Sequence, residues 1–386
     1  MIVKPMIRNN ICMNAHPAGC RQAVAQQIEY VRGKGPFRGP QNVLVIGASQ
    51  GYGLASRIVA AFGAGARTIG VSFETPSRGS RTASAGWYMD RAFQDFANDA
   101  GLESQSLIAD AFAHDTKRAV IEMARDMMGA IDLVVYSLAS GVRPDPDTGE
   151  MYRSALKTIG EPYVSQTLDS KTGALGSATI EPASPEEIEN TVKVMGGEDW
   201  NLWVDALAEA GVLAPDFTTV AYSYIGPAVT FPIYRDGTIG KAKEHLERTA
   251  REMNDHFRGA RSYVSINKAL VTRASAVIPG VSLYLAILYR VMKEKGLHEG
   301  TIEQIYRLYT ERLYQDAELS LDDEQRIRID DWEMRPDVQQ EVMAAWDAVN
   351  EDNVNTLADV EGFQSAFLQV HGFGFEGVDY EADLEV

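Results

Sequence analysis

The sequence predicts an α/β fold, a doubly wound parallel sheet with helices on both faces, and three observations predict it. Short apolar runs rich in β-branched residues alternate with amphipathic stretches between residues 42 and 137, the pattern of repeated βα units joined by right-handed crossovers. The first run enters a turn, Gly47-Ala-Ser-Gln-Gly-Tyr-Gly53, and leaves as a helix. The second run ends at Glu74, about twenty residues beyond those glycines, where a Rossmann-like sheet carries an acidic residue for a ribose.

Taken in order, residues 1–41 form an extension, in which 18–31 reads as a helix with Ala23, Val24, Ile28 and Val31 on the face that packs on the sheet. A partner-binding arm is the other reading of this stretch. Residues 42–140 are the main dinucleotide-binding part. Strand 43–46, helix 51–64, strand 67–73, helix 84–100, strand 105–109, helix 115–128 and strand 131–137 follow one another there. Residues 141–184 break the alternation with Arg143-Pro-Asp-Pro-Asp-Thr-Gly149 and two alternating segments, 152–159 and 162–167, and read as an inserted hairpin.

The catalytic part, 185–278, resumes with helices 185–194 and 198–210, strand 217–224, helix 238–257 and strand 262–266. The longest of these helices carries Ile239, Ala242, Leu246, Ala250 and Met253 at helical spacing. From Pro279 to 386 extra helices dominate, and the stripe from Val281 to Tyr289 reads as core, with the wall of an acyl pocket as the alternative. No repeat or low-complexity linker interrupts the chain, so 1–386 is expected to be a single elaborated domain.

Composition narrows the function classes. A net charge of −18 repels nucleic acid and anionic lipid, so neither is an expected partner, and an anionic ligand has to meet local positive groups. No apolar run reaches the roughly eighteen residues of a spanning helix. Charge and proline among the first residues do not read as an export signal, which makes a cytoplasmic location the expectation. Cys12 and Cys20 are the only cysteines and read as reduced structural thiols. The six histidines are dispersed, so no metal is expected.

The glycine turn supplies the first chemistry. Gly47, Gly51 and Gly53 lack a Cβ, which permits positive φ and lets backbone N–H groups at a helix N-terminus approach a pyrophosphate. Glu74 accepts from ribose hydroxyls and repels a 2′-phosphate, which favours NAD(H), while Arg78 and Arg81 nearby soften that rejection. Asp110 and Ala111, then Leu138 and Ala139, end the third and fourth strands, where adenine and the nicotinamide ribose would lie. Asp110 reads equally well as a helix cap. Beyond strand 217–224 stand Tyr234 and Lys243, a phenol that can give a proton and an ammonium that can hold ribose hydroxyls and favour the ionised phenol. Lys241 competes for the second role, and by spacing alone core packing is the better reading of Tyr234.

Further motifs join these: Ile2-Val-Lys-Pro5, Phe73-Glu74, Gly86-Trp-Tyr88, Asp110-Ala-Phe112, Tyr136-Ser-Leu-Ala-Ser140, Tyr224-x9-Tyr234-x8-Lys243, Asn267-Lys-Ala-Leu-Val-Thr272 and the ending Gly372-Phe-Gly-Phe-Glu-Gly-Val-Asp-Tyr380. Over essentially its whole length the chain resembles the FabV class of NADH-dependent enoyl-acyl carrier protein reductases, also called trans-2-enoyl-CoA reductases. The resemblance implies Tyr234 as proton donor, Lys243 as a cofactor ligand, Tyr224 as a substrate contact and Glu74 as the selector of NADH. It also implies cofactor contacts from Ala48, Ser49, Gln50, Tyr52 and Phe73 beside the glycines. Val271 and Thr272, with Ser275 next to them, would border the nicotinamide and the substrate entrance. Gln50, where threonine is also acceptable, is expected to contribute mainly its backbone. The implied substrate is an enoyl-CoA or enoyl-acyl carrier protein, whose C2=C3 bond is reduced in fatty acid biosynthesis, and the implied state is a monomer. Two other readings remain: a carbonyl reductase of the short-chain type, and a redox-sensing NAD-binding protein without turnover.

Overall fold

The computed structural model describes residues 1–8, 11–275, 278, 280–315 and 318–384. Its centre is a seven-stranded sheet of β1 (Asn42–Ile46), β2 (Arg67–Ser72), β3 (Ser104–Ile108), β4 (Ile131–Tyr136), β5 (Leu213–Ser223), β6 (Arg261–Ile266) and β7 (Ile327–Arg328). In space the order is β7-β6-β5-β4-β1-β2-β3, with every pairing parallel. The order reverses between β1 and β4, and the crevice at the strand C-termini there is where such a sheet binds a dinucleotide.

Alternation along each strand divides the core. Val43 and Val45 face one apolar cluster, Leu44 and Ile46 the other; Leu133 and Val135 oppose Val134 and Tyr136 in the same way. Both faces are buried, which is why these strands read as unbroken apolar runs. The first face is covered by α1 (Pro17–Lys34), α2 (Gly51–Ile58), α3 (Ala85–Asp99) and α9 (Thr301–Leu308). The second is covered by α4 (His114–Met127), α6 (Glu198–Glu209) and α7 (Thr238–His256). Beyond them, α5 (Pro185–Met195) packs on α7. A third cluster joins α8 (Ser282–Glu294), α10 (Pro336–Ala348) and α11 (Val360–Gln369) to Ile233 and Tyr234.

Three expectations need correction. Residues 141–184 hold two hairpins, 142–144 with 151–153 and 163–168 with 175–180, because the turn through Asp145 and Gly149 closes the first pair early. The 152–159 segment is therefore strand only to Arg153. β5 begins at Leu213, ahead of the expected start, and its register against β4 shifts between Leu213 and Thr218, where Pro215 has no N–H to give. β7 was not expected at all: two residues are too few to display a period of two. Pro279, where the helical C-terminal part was expected to begin, lies outside the described residues. Among the described residues no helix is long and apolar enough to cross a membrane. Cys12 and Cys20 are buried and free.

Candidate active site

The turn from β1 into α2 assigns a different task to each glycine. Gly47 has φ +87°, and a Cβ on it would lie 2.4 Å from the Ser137 carbonyl oxygen. On Gly53 a Cβ would lie 1.9 Å from the Gly47 carbonyl oxygen, so its bareness lets helix and strand meet. Gly51, at φ +56°, faces open space: a Cβ there would come no closer than 4.0 Å, to the Thr272 Cγ2. No side chain caps α2, which leaves the N–H groups of its first turn available to an anion. Gln50 does more than lend its backbone, since its Nε2 donates to the Val370 carbonyl at 2.9 Å and ties the turn to the C-terminal segment. Tyr52 turns away from the opening and donates to the Lys268 carbonyl at 2.6 Å. Ala48 is fully buried beneath the turn.

At the end of β2, Phe73 is 77% exposed and presents a free ring face. Glu74 turns inward. Its Oε1 accepts from the Ser49 hydroxyl at 2.7 Å, its Oε2 lies 3.3 Å from Arg273, and the space it occupies exists because residue 86 is glycine. Arg78 and Arg81 bridge each other through their backbones in the following loop. Asp110 closes its own loop: Oδ1 accepts from the Phe112 N–H at 3.0 Å, and its carbonyl accepts from Thr116. It also lines a cleft of about 410 Å³ with His114, Arg118 and Asp145, and it does not cap α4, whose N-cap is Ala113 with no side-chain cap. The Ala111 carbonyl accepts from Trp203 Nε1 at 3.0 Å, and Leu138 and the exposed Ala139 follow β4 at the crevice.

The strand end at Ser223 and Tyr224 and the short helix Phe231–Tyr234 form the other wall. Tyr224 and Tyr234 meet edge to face with ring centroids 4.8 Å apart. The Tyr224 hydroxyl donates to Glu333 Oε1 at 3.1 Å, whereas among the described residues the Tyr234 hydroxyl has no hydrogen-bond partner. Burial, and after it the Glu333 carboxylate, pushes the Tyr234 phenol well above its ordinary value. The third expected residue of this wall is Lys243. Its ammonium turns to the Ser223 hydroxyl at 2.9 Å, and burial pulls it down to about 8. Lys241 is exposed and pairs with Glu244 at 2.8 Å, which removes it from the pocket.

The loop after β6 supplies the last border. The Val271 N–H donates to the Tyr289 hydroxyl at 3.0 Å. The Ser275 hydroxyl donates to the Leu270 carbonyl at 2.6 Å and accepts from the Thr272 N–H at 2.8 Å, which ties the loop to itself. The stripe from Val281 to Tyr289 is core, and it shares its cluster with Tyr234 and with Leu168 and Ile180 of the second hairpin. Sequence reasoning missed Ser223, Arg273 and Glu333. Ser223, as the last residue of a central strand, follows from the rule that ligands gather at strand ends; nothing local marks the other two.

Comparison with known proteins finds relatives over the whole chain. Residues 2–79 match a family model described as the NAD(P)H binding domain of trans-2-enoyl-CoA reductase, and residues 81–314 one described as its catalytic region. An enoyl-[acyl-carrier-protein] reductase [NADH] of Flavobacterium johnsoniae is 52% identical over 99% of this chain and 97% of its own. A trans-2-enoyl-CoA reductase [NADH] of Clostridium perfringens is 53% identical over 100% of this chain and 99% of its own. The crystal structure of Treponema denticola trans-2-enoyl-CoA reductase in complex with NAD superposes with a TM-score of 0.97 at 53% identity, covering 100% of this chain and 98% of that one.

Residues 321–384 match a model described as an enoyl reductase FAD binding domain. They do not fit a flavin. The first turn of α11 is already capped by the Asp359 side chain, and Arg326 and Arg328 are paired with Asp322 and Asp330. A Cβ on Gly372 would meet Cys20 N and the His16 carbonyl oxygen at 2.6 Å, so the chain itself fills that approach. Matches over the full length, at identities above half, show that the chain belongs to the NADH-dependent trans-2-enoyl-CoA and enoyl-acyl carrier protein reductase family.

Proposed function

We propose that Tyr234 is the donor in NADH-dependent reduction of the C2=C3 bond of a trans-2-enoyl thioester, the reaction of the family to which the chain belongs. Bound NADH supplies the hydride for C3. Negative charge then gathers on the thioester oxygen as an enolate, a preorganised donor in a pocket with little water stabilises it most, and a proton taken up at C2 completes the saturated acyl thioester. The observation that carries the assignment is the unpartnered Tyr234 hydroxyl, buried beside Tyr224 in a wall whose other hydroxyls are engaged. Kept neutral by burial and by Glu333, the phenol still holds the proton it has to give.

Lys243, oriented by Ser223, is assigned to the nicotinamide ribose, Glu74 to the adenosine ribose, and the Gly51 opening to the pyrophosphate. Tyr224 borders the thioester. The acyl group is carried by coenzyme A or an acyl carrier protein, in fatty acid biosynthesis. The proposal extends to a cytoplasmic monomer and to one elaborated domain over 1–386, for which the entry of β7 into the central sheet is the support.

NADH oxidation with crotonyl-CoA and a longer enoyl-CoA tests the reading. Wild type should turn over both, and Tyr234→Phe should lower kcat by about 10²–10³, the scale of one lost oxyanion donor, with NADH affinity nearly intact. Turnover of the variant at the wild-type rate, under conditions where chemistry limits, would remove Tyr234 from the role and leave Tyr224 as the leading donor.

A further inference from the structure

Glu333 is fully buried, lies three residues before α10, and belongs to the segment whose matched description concerns a flavin. Three donors converge on its carboxylate: the Tyr284 hydroxyl at 2.5 Å and the Tyr224 hydroxyl at 3.1 Å on Oε1, and the Ala269 N–H at 2.7 Å on Oε2. An ionised carboxylate only accepts, so three donors match the charged form. Burial pushes Glu333 up, the Lys268 ammonium, the Tyr284 hydroxyl and the Ala269 N–H oppose that push, and Asp330 adds to it. Lys268 is itself buried and donates to the Ala269 carbonyl at 3.0 Å, next to the residue whose N–H meets Glu333.

A phenol has one proton to donate. Tyr224 spends its proton on Glu333, so toward the pocket it can offer only lone pairs, while Tyr234, whose ring stands edge-on 4.8 Å away, keeps its hydroxyl open. Two neighbouring phenols of like chemistry are thereby made unlike by a third residue about a hundred positions further along the chain.

We propose that Glu333 is a positioning residue of the reaction, which holds the Tyr224 hydroxyl away from the thioester oxygen and leaves Tyr234 as its single donor. This rests on the assignment of Tyr234 above. No bond is made or broken at Glu333; it acts by deciding where the proton of Tyr224 points.

The test is a set of double mutants measured as kcat on crotonyl-CoA, with NADH affinity and thermal midpoint followed in each. With Glu333 intact, Tyr234→Phe should cost about 10²–10³ in kcat, and Tyr224→Phe no more than about threefold, since that hydroxyl is already engaged. Glu333→Gln keeps the shape and an acceptor for Ala269, but its NH₂ donates toward the phenols and releases the Tyr224 proton to the pocket. In that background the cost of Tyr234→Phe should shrink to about tenfold, and the cost of Tyr224→Phe should rise to about tenfold. Glu333→Asp withdraws the acceptor from Tyr224 by about one methylene, predicts the same redistribution, and serves if the Gln variant does not fold. A residue needed only for folding would lower all rates or midpoints together and leave the two ratios unchanged. Unchanged ratios in folded variants overturn the proposal. Should Tyr234→Phe cost nothing even with Glu333 intact, it is the assignment of Tyr234 that fails.

Discussion

Lys243 concentrates the pH dependence expected of the enzyme. Burial lowers its ammonium from 10.5 to about 8, so the cost of burying the charge is present below about pH 8 and is relieved as pH rises from there toward 10.5. Ligand binding has the opposite slope, because the charged form makes the stronger hydrogen bond to a ribose hydroxyl. NADH affinity should therefore fall by roughly fivefold between pH 7 and pH 9 in the wild type, and Lys243→Met should bind more weakly at pH 7 with little change across that range. Fluorescence titration of NADH at both pH values checks this; an equal slope in the variant would point to Lys268, which is also lowered to about 8. Glu74 offers the second test. Its carboxylate is held by Ser49 and Arg273, so Glu74→Ala removes the acceptor for ribose hydroxyls and leaves Arg273 unpaired beside the place of a 2′-phosphate. The NADPH to NADH ratio of kcat/KM should rise by about tenfold, the worth of one charge-assisted hydrogen bond. A ratio that stays put would take cofactor choice away from Glu74.

Among the elements, the β1–α2 turn separates binding from folding. Gly53→Ala drives a Cβ to 1.9 Å from the Gly47 carbonyl oxygen, so it should lower the thermal midpoint before it touches the ligand. Gly51→Ala puts its Cβ into open space at a cost of about 1–2 kcal/mol for the left-handed backbone. Its larger effect, about tenfold or more, should appear in NADH affinity if that open space is, as proposed, where the phosphate approaches. Parallel thermal unfolding and NADH titration of the two variants distinguish the tasks; equal affinity loss in both would merge them. The strands and helices up to residue 137 were legible because a period of two or of 3.6 is written in neighbouring residues. The stretch from 141 to 184 was legible only as an interruption, since nothing in the local pattern says where one hairpin closes and the next opens. β7 has no pattern of its own and exists as a strand because β6 offers its edge at Ser265 and Ile266.

Across the whole molecule, the two ends of the chain lock together behind the cofactor turn. A Cβ on Gly19 would lie 1.6 Å from the Gly372 carbonyl oxygen, and the adjoining C-terminal segment holds Gln50 through Val370. Gly19→Ala should therefore cost about 1–3 kcal/mol of stability by overpacking. It should weaken NADH binding as well if the ends brace the turn; urea unfolding and NADH titration of one variant read both effects, and an affinity unaffected by a measured loss of stability would separate the ends from the site. The glycine turn and Glu74 could be named from consecutive residues, since a turn or a strand end is a property of neighbours in the chain. Tyr234 and Lys243 are named through the family resemblance, their spacing alone favouring core packing for the phenol. The partners of these residues could not be named in either way. Arg273 reaches Glu74 across 199 positions, Val370 reaches Gln50 across 320, and Glu333 reaches Tyr224 across 109. Those meetings, and with them which of two tyrosines is free to donate and which lysine faces inward, depend on how distant segments pack, because a buried carboxylate selects its donors by direction and distance and leaves no spacing in the sequence to read.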